Sequence, residues 1–325
     1  MAKRNRSPVV YSEDHIANRD VQLACIPLFL MAVYLYGTRP LFMGVVAIVT
    51  ARLCDWMVSK LRRRPYDKGE NSSVTAALVL TLMLPATMDL YVVVFGVAVA
   101  VLLAKHAFGG DGSYPFNPAA VGYAVIAVSW PGKLFIYPQP QQILPLFSTE
   151  GVRMVAASAH TLKAGGLPTT SGMNLLLGNY AGPMGATFAV VIFACFVLLL
   201  VRRRVSWRVP VAFLSTAAFV AFLFPRVSLV SRLVVLRHEM FSGAIIFAAV
   251  FLLAETTTLP KNKISQVIYG VLLGFVTMMF QYFGTFELGV CFAVILVNSV
   301  SGYIDRIVAR IAGKKHMEVV LHAGE

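Results

Sequence analysis

Apolar stretches of about the length of a bilayer alternate with short polar breaks along nearly the whole chain. A spanning helix needs about twenty mostly apolar residues, fewer where neighbours bury its ends. By that measure candidate spans lie near 21–37, 40–58, 73–89, 90–106, 117–131, 184–201, 209–225, 241–258, 266–283 and 287–304. Breaks fall at Gly37 to Pro40, in the basic run 60–70, at Pro85, at Gly109 to Pro118 and at Pro210. The pattern predicts an all-α integral membrane protein of about ten transmembrane helices.

Composition agrees with that pattern. Of the 325 residues 58% are hydrophobic and 13% charged, with a mean hydropathy of +0.74. A water-soluble domain carries roughly a quarter charged residues. The net charge of +13 raises nucleic acid as a partner, but the cations stand in short clusters between apolar stretches, such as Arg62-Arg63-Arg64 and Arg202-Arg203-Arg204. That is how membrane proteins mark their cytoplasmic loops, and no nucleic-acid partner is expected. With the N-terminus in the cytoplasm, segments 1–20, 59–72, 105–116, 202–208, 259–265 and 305–325 hold 20 of the 28 Lys and Arg residues. Arg39, Lys133, Arg153, Lys163, Arg226, Arg232 and Arg237 fall on the other side, and Arg52 falls within a span.

The organisation expected is a cytoplasmic tail 1–20, a first transmembrane repeat 21–131, an extracytoplasmic loop 132–183, a second repeat 184–304 and a cytoplasmic tail 305–325. The first twenty residues are polar, so no cleavable leader is expected. The long loop keeps apolar positions such as Leu134-Phe135-Ile136 and is expected to pack against the membrane domain. Cys25, Cys54, Cys195 and Cys291 stand apart within apolar stretches and suggest neither a disulfide nor a metal site.

Two parts of the chain echo each other. Leu84-Pro85, Phe95-Gly96 and Phe108-Gly109 in one match Leu259-Pro260, Tyr269-Gly270 and Phe283-Gly284 in the other. An offset of about 175 residues equals five spans, which inverts the second copy. Inverted repeats place binding sites near the midplane, where interrupted helices meet.

Ionisable residues inside spans are costly and default to functional candidates. Asp55, Lys105, His106, His238, Glu239, Glu255 and Glu287 qualify, most of them near span ends, where snorkelling to the interface is the plainer account. Glu255 and Glu287 border repeat landmarks and, with Asn298, are candidates for a cation path. Asn298 needs a partner, most simply on a neighbouring helix. Asn117-Pro118 reads as a capped helix start.

The run Phe108-Gly109-Gly110, Tyr114-Pro115-Phe116-Asn117-Pro118-Ala119 and Val121-Gly122-Tyr123 resembles the signature of the RnfD and NqrB family. Leu176-Leu177-Gly178-Asn179 with Gly182-Pro183, Ser206-Trp207-Arg208, Phe241-Ser242-Gly243 and Glu287-Leu288-Gly289 with Asn298 extend the resemblance from about residue 70 onward. The resemblance implies two inverted five-helix repeats of the urea-transporter kind in the bacterial inner membrane. It implies a subunit of an Rnf-type complex with A, B, C, E and G subunits, coupling electron transfer between ferredoxin and NAD through flavins to sodium or proton movement. Flavin contacts would fall on Phe116, Asn117, Pro118, Thr169, Thr170 and Ser171.

One departure bears on the cofactor, FMN or riboflavin. Family members carry Asp-x-x-Ser-x-Ala-Thr in the long loop, with FMN esterified to the Thr. Here the stretch reads Gly165-Gly166-Leu167-Pro168-Thr169-Thr170-Ser171-Gly172-Met173-Asn174, so non-covalent flavin is expected. Two other readings suit the same pattern: a urea or ion channel or secondary transporter, and a scaffold subunit without flavin.

Overall fold

Proline and glycine set several of the helix ends. The computed structural model describes residues 13–63, 69–166, 168, 170–227, 230–284 and 288–322. α1 (Glu13–Tyr36) and α2 (Arg39–Leu61) join through Gly37, and Pro40 sits in the first turn of α2, where a missing N–H costs nothing. α3 (Ser72–Leu82) is short because Pro85 has no N–H and disfavours helical backbone at Leu84. α4 (Leu90–Val99) runs on through a π-helical stretch, Ala100–Lys105, into a 3-10 turn, His106–Phe108. α5 (Pro118–Ser129) and α6 (Pro131–Leu134) follow.

The connection beyond α6 contains β1 (Ile136–Pro138) and β2 (Met154–Ala156), paired antiparallel with Ile136 opposite Ala156, then α7 (Ser158–Lys163) and α8 (Gly172–Leu177). The second half of the chain holds α9 (Ala189–Val201), α10 (Arg208–Leu223), α11 (Arg232–Phe241) and α12 (Ile245–Phe247), the last extended by a second π-helical stretch, Ala248–Leu252. A 3-10 turn, Thr256–Thr258, leads to α13 (Lys263–Phe283) and α14 (Val290–His322).

Among the described residues five helices are long and apolar enough to cross a membrane, and α11 with the Ile245–Leu252 helix makes a sixth candidate, bent by 58°. Four more apolar helices, α3, α5, α9 and α10, are shorter than a span. Outward faces are greasy: Leu30, Leu53, Phe193 and Phe219 are all more than half exposed. Apolar surface on that scale belongs against lipid or another chain. This is a multi-pass, mostly helical membrane protein.

Several sequence expectations shift. The stretch near 73–89 is not one helix, since α3 stops at Leu82 and residues 83–89 form a turn. The stretch near 241–258 begins at the bend, because Ser242-Gly243-Ala244 breaks the helix there. Glycine landmarks differ in what they touch. A Cβ on Gly96 would stand 2.2 Å from Ile126 of α5, whereas one on Gly270 would stand 2.8 Å from the Val209 carbonyl in α10. Both permit close helix approach, as small residues do in membranes, but with non-equivalent neighbours.

The long connection packs on the helix ends, as its apolar positions suggested. Arg39, 2% exposed, donates through Nη1 to the carbonyls of Pro145 and Ser148, both at 2.8 Å. Its Nη2 reaches the carbonyls of Thr87 and Met88. Leu144 N donates to Tyr36 O, and the Tyr180 hydroxyl donates to Phe241 O at the bend.

Candidate functional site

The end of one broken helix leaves carbonyls that need donors. At the end of α3, Leu82 O accepts the amide of Gly185 at 2.8 Å and Leu84 O accepts that of Met184 at 3.0 Å. Those donors belong to the second half of the chain. At the end of the second half's broken helix, Leu252 O accepts Asn117 Nδ2 at 2.8 Å. Asn117 belongs to the first half. Its Oδ1 meanwhile accepts Ala120 N at 3.2 Å and caps α5, with Pro118 in the first turn, as the Asn-Pro pair predicts.

Beside Asn117 lies a small cavity of about 20 Å³, bordered by Asn18, Thr75, Asn117, Phe251 and Glu255. That volume takes one water. The Glu255 carboxylate accepts the Thr257 amide at 3.4 Å and the Tyr114 hydroxyl. Burial, then the charge of Glu255, pushes the Tyr114 hydroxyl well above its ordinary value, so it remains a donor. A carboxylate, an amide and a threonine around a water-sized space can pass a proton or hold a small cation.

The other predicted residues lie elsewhere. Asn298 is buried on α14 and its Oδ1 accepts the Tyr269 hydroxyl of α13, while its amide nitrogen has no partner among the described residues. Thr170 offers its carbonyl to His238 Nε2 at 3.4 Å. Ser171 is exposed, and its hydroxyl accepts Asn174 N as the cap of α8. Phe116 meets Phe108 edge to face at 5.8 Å. Thr169 and Glu287 lie outside the described residues.

The model of the NQR2, RnfD, RnfE family matches residues 4–313. The chain belongs to that family. Among its relatives, a chain from Cronobacter sakazakii, named as the D subunit of an ion-translocating oxidoreductase complex, is 30% identical over 88% of this chain and 90% of its own. The D subunit of a proton-translocating ferredoxin:NAD(+) oxidoreductase complex from Clostridium ljungdahlii is 27% identical, covering 88% of this chain and 87% of its own. Its counterpart in a Na(+)-translocating ferredoxin:NAD(+) oxidoreductase complex from Acetobacterium woodii is 25% identical over 89% and 87%.

Within this member of the family, two charged networks escaped sequence reasoning. Lys105, 1% exposed, donates to Glu70 and to Ser73 Oγ, and lies 3.9 Å from Asp55. Ser73 also donates to Asp55 at 2.8 Å, and His106 Nε2 stands 2.7 Å from the same carboxylate. Asp55, Lys105 and His106 stood out as intramembrane charges. Glu70 and Ser73 did not, because they fall in a loop and a helix start. The second network joins Arg226 to Glu239, Nε to Oε1 at 3.0 Å, with Gln281 donating to Oε2 at 3.0 Å. Glu239 is wholly buried, and nothing in the local sequence names Arg226 or Gln281 as its partners.

Proposed function

We propose that this chain is the D-type membrane subunit of an Rnf-type complex that couples ferredoxin:NAD electron transfer to ion translocation. Its partners on this reading are A, B, C, E and G subunits, and through them ferredoxin and NAD. Family membership and the relatives' names support the reading. The observation that carries it is the exchange of caps between halves: each half's broken helix is finished by donors from the other. Pumps and transporters with inverted repeats build their sites where such helices meet.

In that arrangement α1 to α5 form one five-helix repeat, and α9, α10, the bent pair, α13 and α14 form its inverted copy, in the manner of urea transporters. The cation bias puts both termini in the cytoplasm and segment 132–183 outside a bacterial inner membrane. Glu255, Glu287 and Asn298 would line the path of the ion. Relatives are named for protons and for sodium, and a water-sized cavity beside Glu255 suits either.

We place the flavin ring away from Asn117, because the cavity beside it is small. Ligand pockets start at about 300 Å³, far above the 20 Å³ found there. Asn117 and Pro118 are buried and hold the helix start, leaving the Phe116 and Phe108 pair as the accessible aromatic surface of that turn. The loop at Thr170 and Ser171 is open, with Arg237 Nη1 only 2.6 Å from where a Cβ on Gly172 would stand, so a cation faces the loop. A bound flavin would supply one- and two-electron chemistry, and these residues would orient it and balance its charge. No ester is expected, since Asn174 lacks a hydroxyl and Ser171 lacks the Asp and Ala neighbours of the family motif.

Two measurements test the reading. Intact mass of the denatured chain should match the polypeptide alone; an added FMN less water within 165–187 would overturn the non-covalent assignment. Asn117→Leu should lower ferredoxin-to-NAD electron transfer in membranes by more than it lowers subunit abundance. Equal losses would reduce Asn117 to a helix cap and remove the junction from the mechanism.

A further inference from the structure

The hairpin in the long connection encloses a cavity that the redox reading leaves unused. Beyond β1 and β2 the ladder gains a rung, Gln139 N donating to Arg153 O at 3.0 Å. The chain then turns at Gln141 with φ +64, uncommon for a residue with a side chain. Facing the hairpin is the turn after α8, Asn179-Tyr180-Ala181. Between them lies a surface cavity of about 370 Å³, within the range that admits small ligands.

Its lining has a definite chemistry. Arg153 is the only charged residue among the lining side chains, and Gln139, Gln141 and Asn179 add three carboxamides. Among the described residues no carboxylate lines it. None of these four side chains has a hydrogen-bond or ionic partner among the described residues. Tyr180 is buried at the wall, fixed by its hydroxyl bond to Phe241 O. Tyr137, Ala157 and Ala181 pack together beneath the hairpin and hold its shape.

We infer that this cavity binds an oxyanion, a phosphate or carboxylate group, through the Arg153 guanidinium with Gln139, Gln141 and Asn179 as neutral donors. A guanidinium fork matches two oxygens of such a group, and charge-assisted bonds of this kind are about twice as strong as neutral ones. Carboxamides add donors without adding charge, which suits a ligand carrying one or two negative charges. The group comes from a free solute or from the headgroup of an anionic lipid, and both would make the same contacts.

The test uses the full chain in nanodiscs, read by its unfolding midpoint. In phosphatidylcholine discs, inorganic phosphate is titrated at constant ionic strength with chloride as the balancing anion. In a second arm, phosphatidylglycerol replaces part of the phosphatidylcholine and phosphate is omitted. A rise in the first arm identifies a free solute, and a rise in the second alone identifies a headgroup; either supports the site. In Arg153→Gln the phosphate response should need at least tenfold more ligand, and the lipid response should vanish. Arg153→Lys should fall between. Because the Arg153 side chain bonds to none of the described residues, the unliganded variant should unfold with the wild type; if it does not, Asn179→Leu replaces it in both arms. No rise in either arm, or a variant that responds like the wild type, overturns the inference.

Discussion

Two of the places where the halves of the chain meet are the ends of broken helices, one closed by backbone and the other by a side chain. At the end of α3 the carbonyls of Leu82 and Leu84 are met by the amides of Gly185 and Met184. At the end of the Ile245–Leu252 helix the Leu252 carbonyl is met by Asn117 Nδ2. A buried carbonyl without a donor costs about 1–3 kcal/mol, and more where no water can reach it. The backbone junction tolerates many residues at Met184, because any residue but proline brings an N–H, but it demands close approach at Gly185. The side-chain junction demands one residue type at one position. The first is a steric constraint and the second a chemical one, and they break in different ways.

The largest effect should come from filling the backbone junction. A Cβ on Gly185 would lie 2.6 Å from both Cβ and Cδ2 of Leu82. Leu82 is wholly buried and cannot swing aside. Gly185→Leu should therefore push the segment around residue 185 off the α3 terminus and strip two carbonyls of their donors. Overpacking costs about 1–3 kcal/mol, and the lost bonds add to it. The expected outcome is a steep fall in membrane abundance and in the unfolding midpoint of the purified chain. A variant that accumulates and unfolds like the wild type would mean the junction is loose.

A smaller and more discriminating effect lies at Asn117. At an ordinary helix start Asn, Asp and Ser are nearly equal as caps. Here Oδ1 caps α5 while Nδ2 donates across to Leu252. Asn117→Ser should keep the cap and lose the donor, costing about 1–3 kcal/mol for the orphaned carbonyl. Asn117→Asp should cost more than Ser, because a carboxylate oxygen would face the Leu252 carbonyl in a buried place. If Asp and Ser prove equal in thermal unfolding, the cross-half bond contributes nothing and Asn117 is a cap alone.

The contrast also explains what could be read in advance. Asn117-Pro118 is legible because capping is local: the side chain, the proline and the amide it satisfies lie within one turn of helix. The apolar runs were legible for the same reason, since length and composition decide a span without reference to neighbours. The stop of α3 ahead of Pro85 was signalled, yet the residues that satisfy its carbonyls lie far along the chain, in a stretch marked by Gly182-Pro183 and Gly185 with nothing to tie it to α3. Nor could the bend at Ser242-Gly243-Ala244 be told from a span start, because both read as small residues beside an apolar run. The networks around Lys105 and Glu239 share that difficulty. Each charge was visible, but Glu70, Ser73, Arg226 and Gln281 become partners only through packing. The site residues Asn117 and Glu255 were singled out separately, and only the fold brings them to the border of one cavity.

The smallest effect on stability, and the one aimed at function, concerns Glu255. Its carboxylate takes two bonds, from the Thr257 amide and the Tyr114 hydroxyl. A glutamine keeps the shape and leaves one oxygen to accept both, so Glu255→Gln should change the unfolding midpoint by no more than a surface substitution does, about 0.5 kcal/mol in equivalent terms. Electrically the change is complete. The space beside Asn117 loses the negative charge that would attract a cation or take up a proton, while the amide's NH2 group points a positive edge toward it. If the ion passes here, coupled electron transfer in membranes should fall by roughly tenfold, which corresponds to about 1.4 kcal/mol on the barrier. Tyr114→Phe serves as the companion variant. It removes a donor to Glu255 but leaves the charge, so it should slow coupled transfer far less. Should Glu255→Gln and Tyr114→Phe slow transfer equally, the carboxylate acts only as an anchor for the 109–117 turn. Should neither slow it, the ion takes another route and the junction at Asn117 is structural.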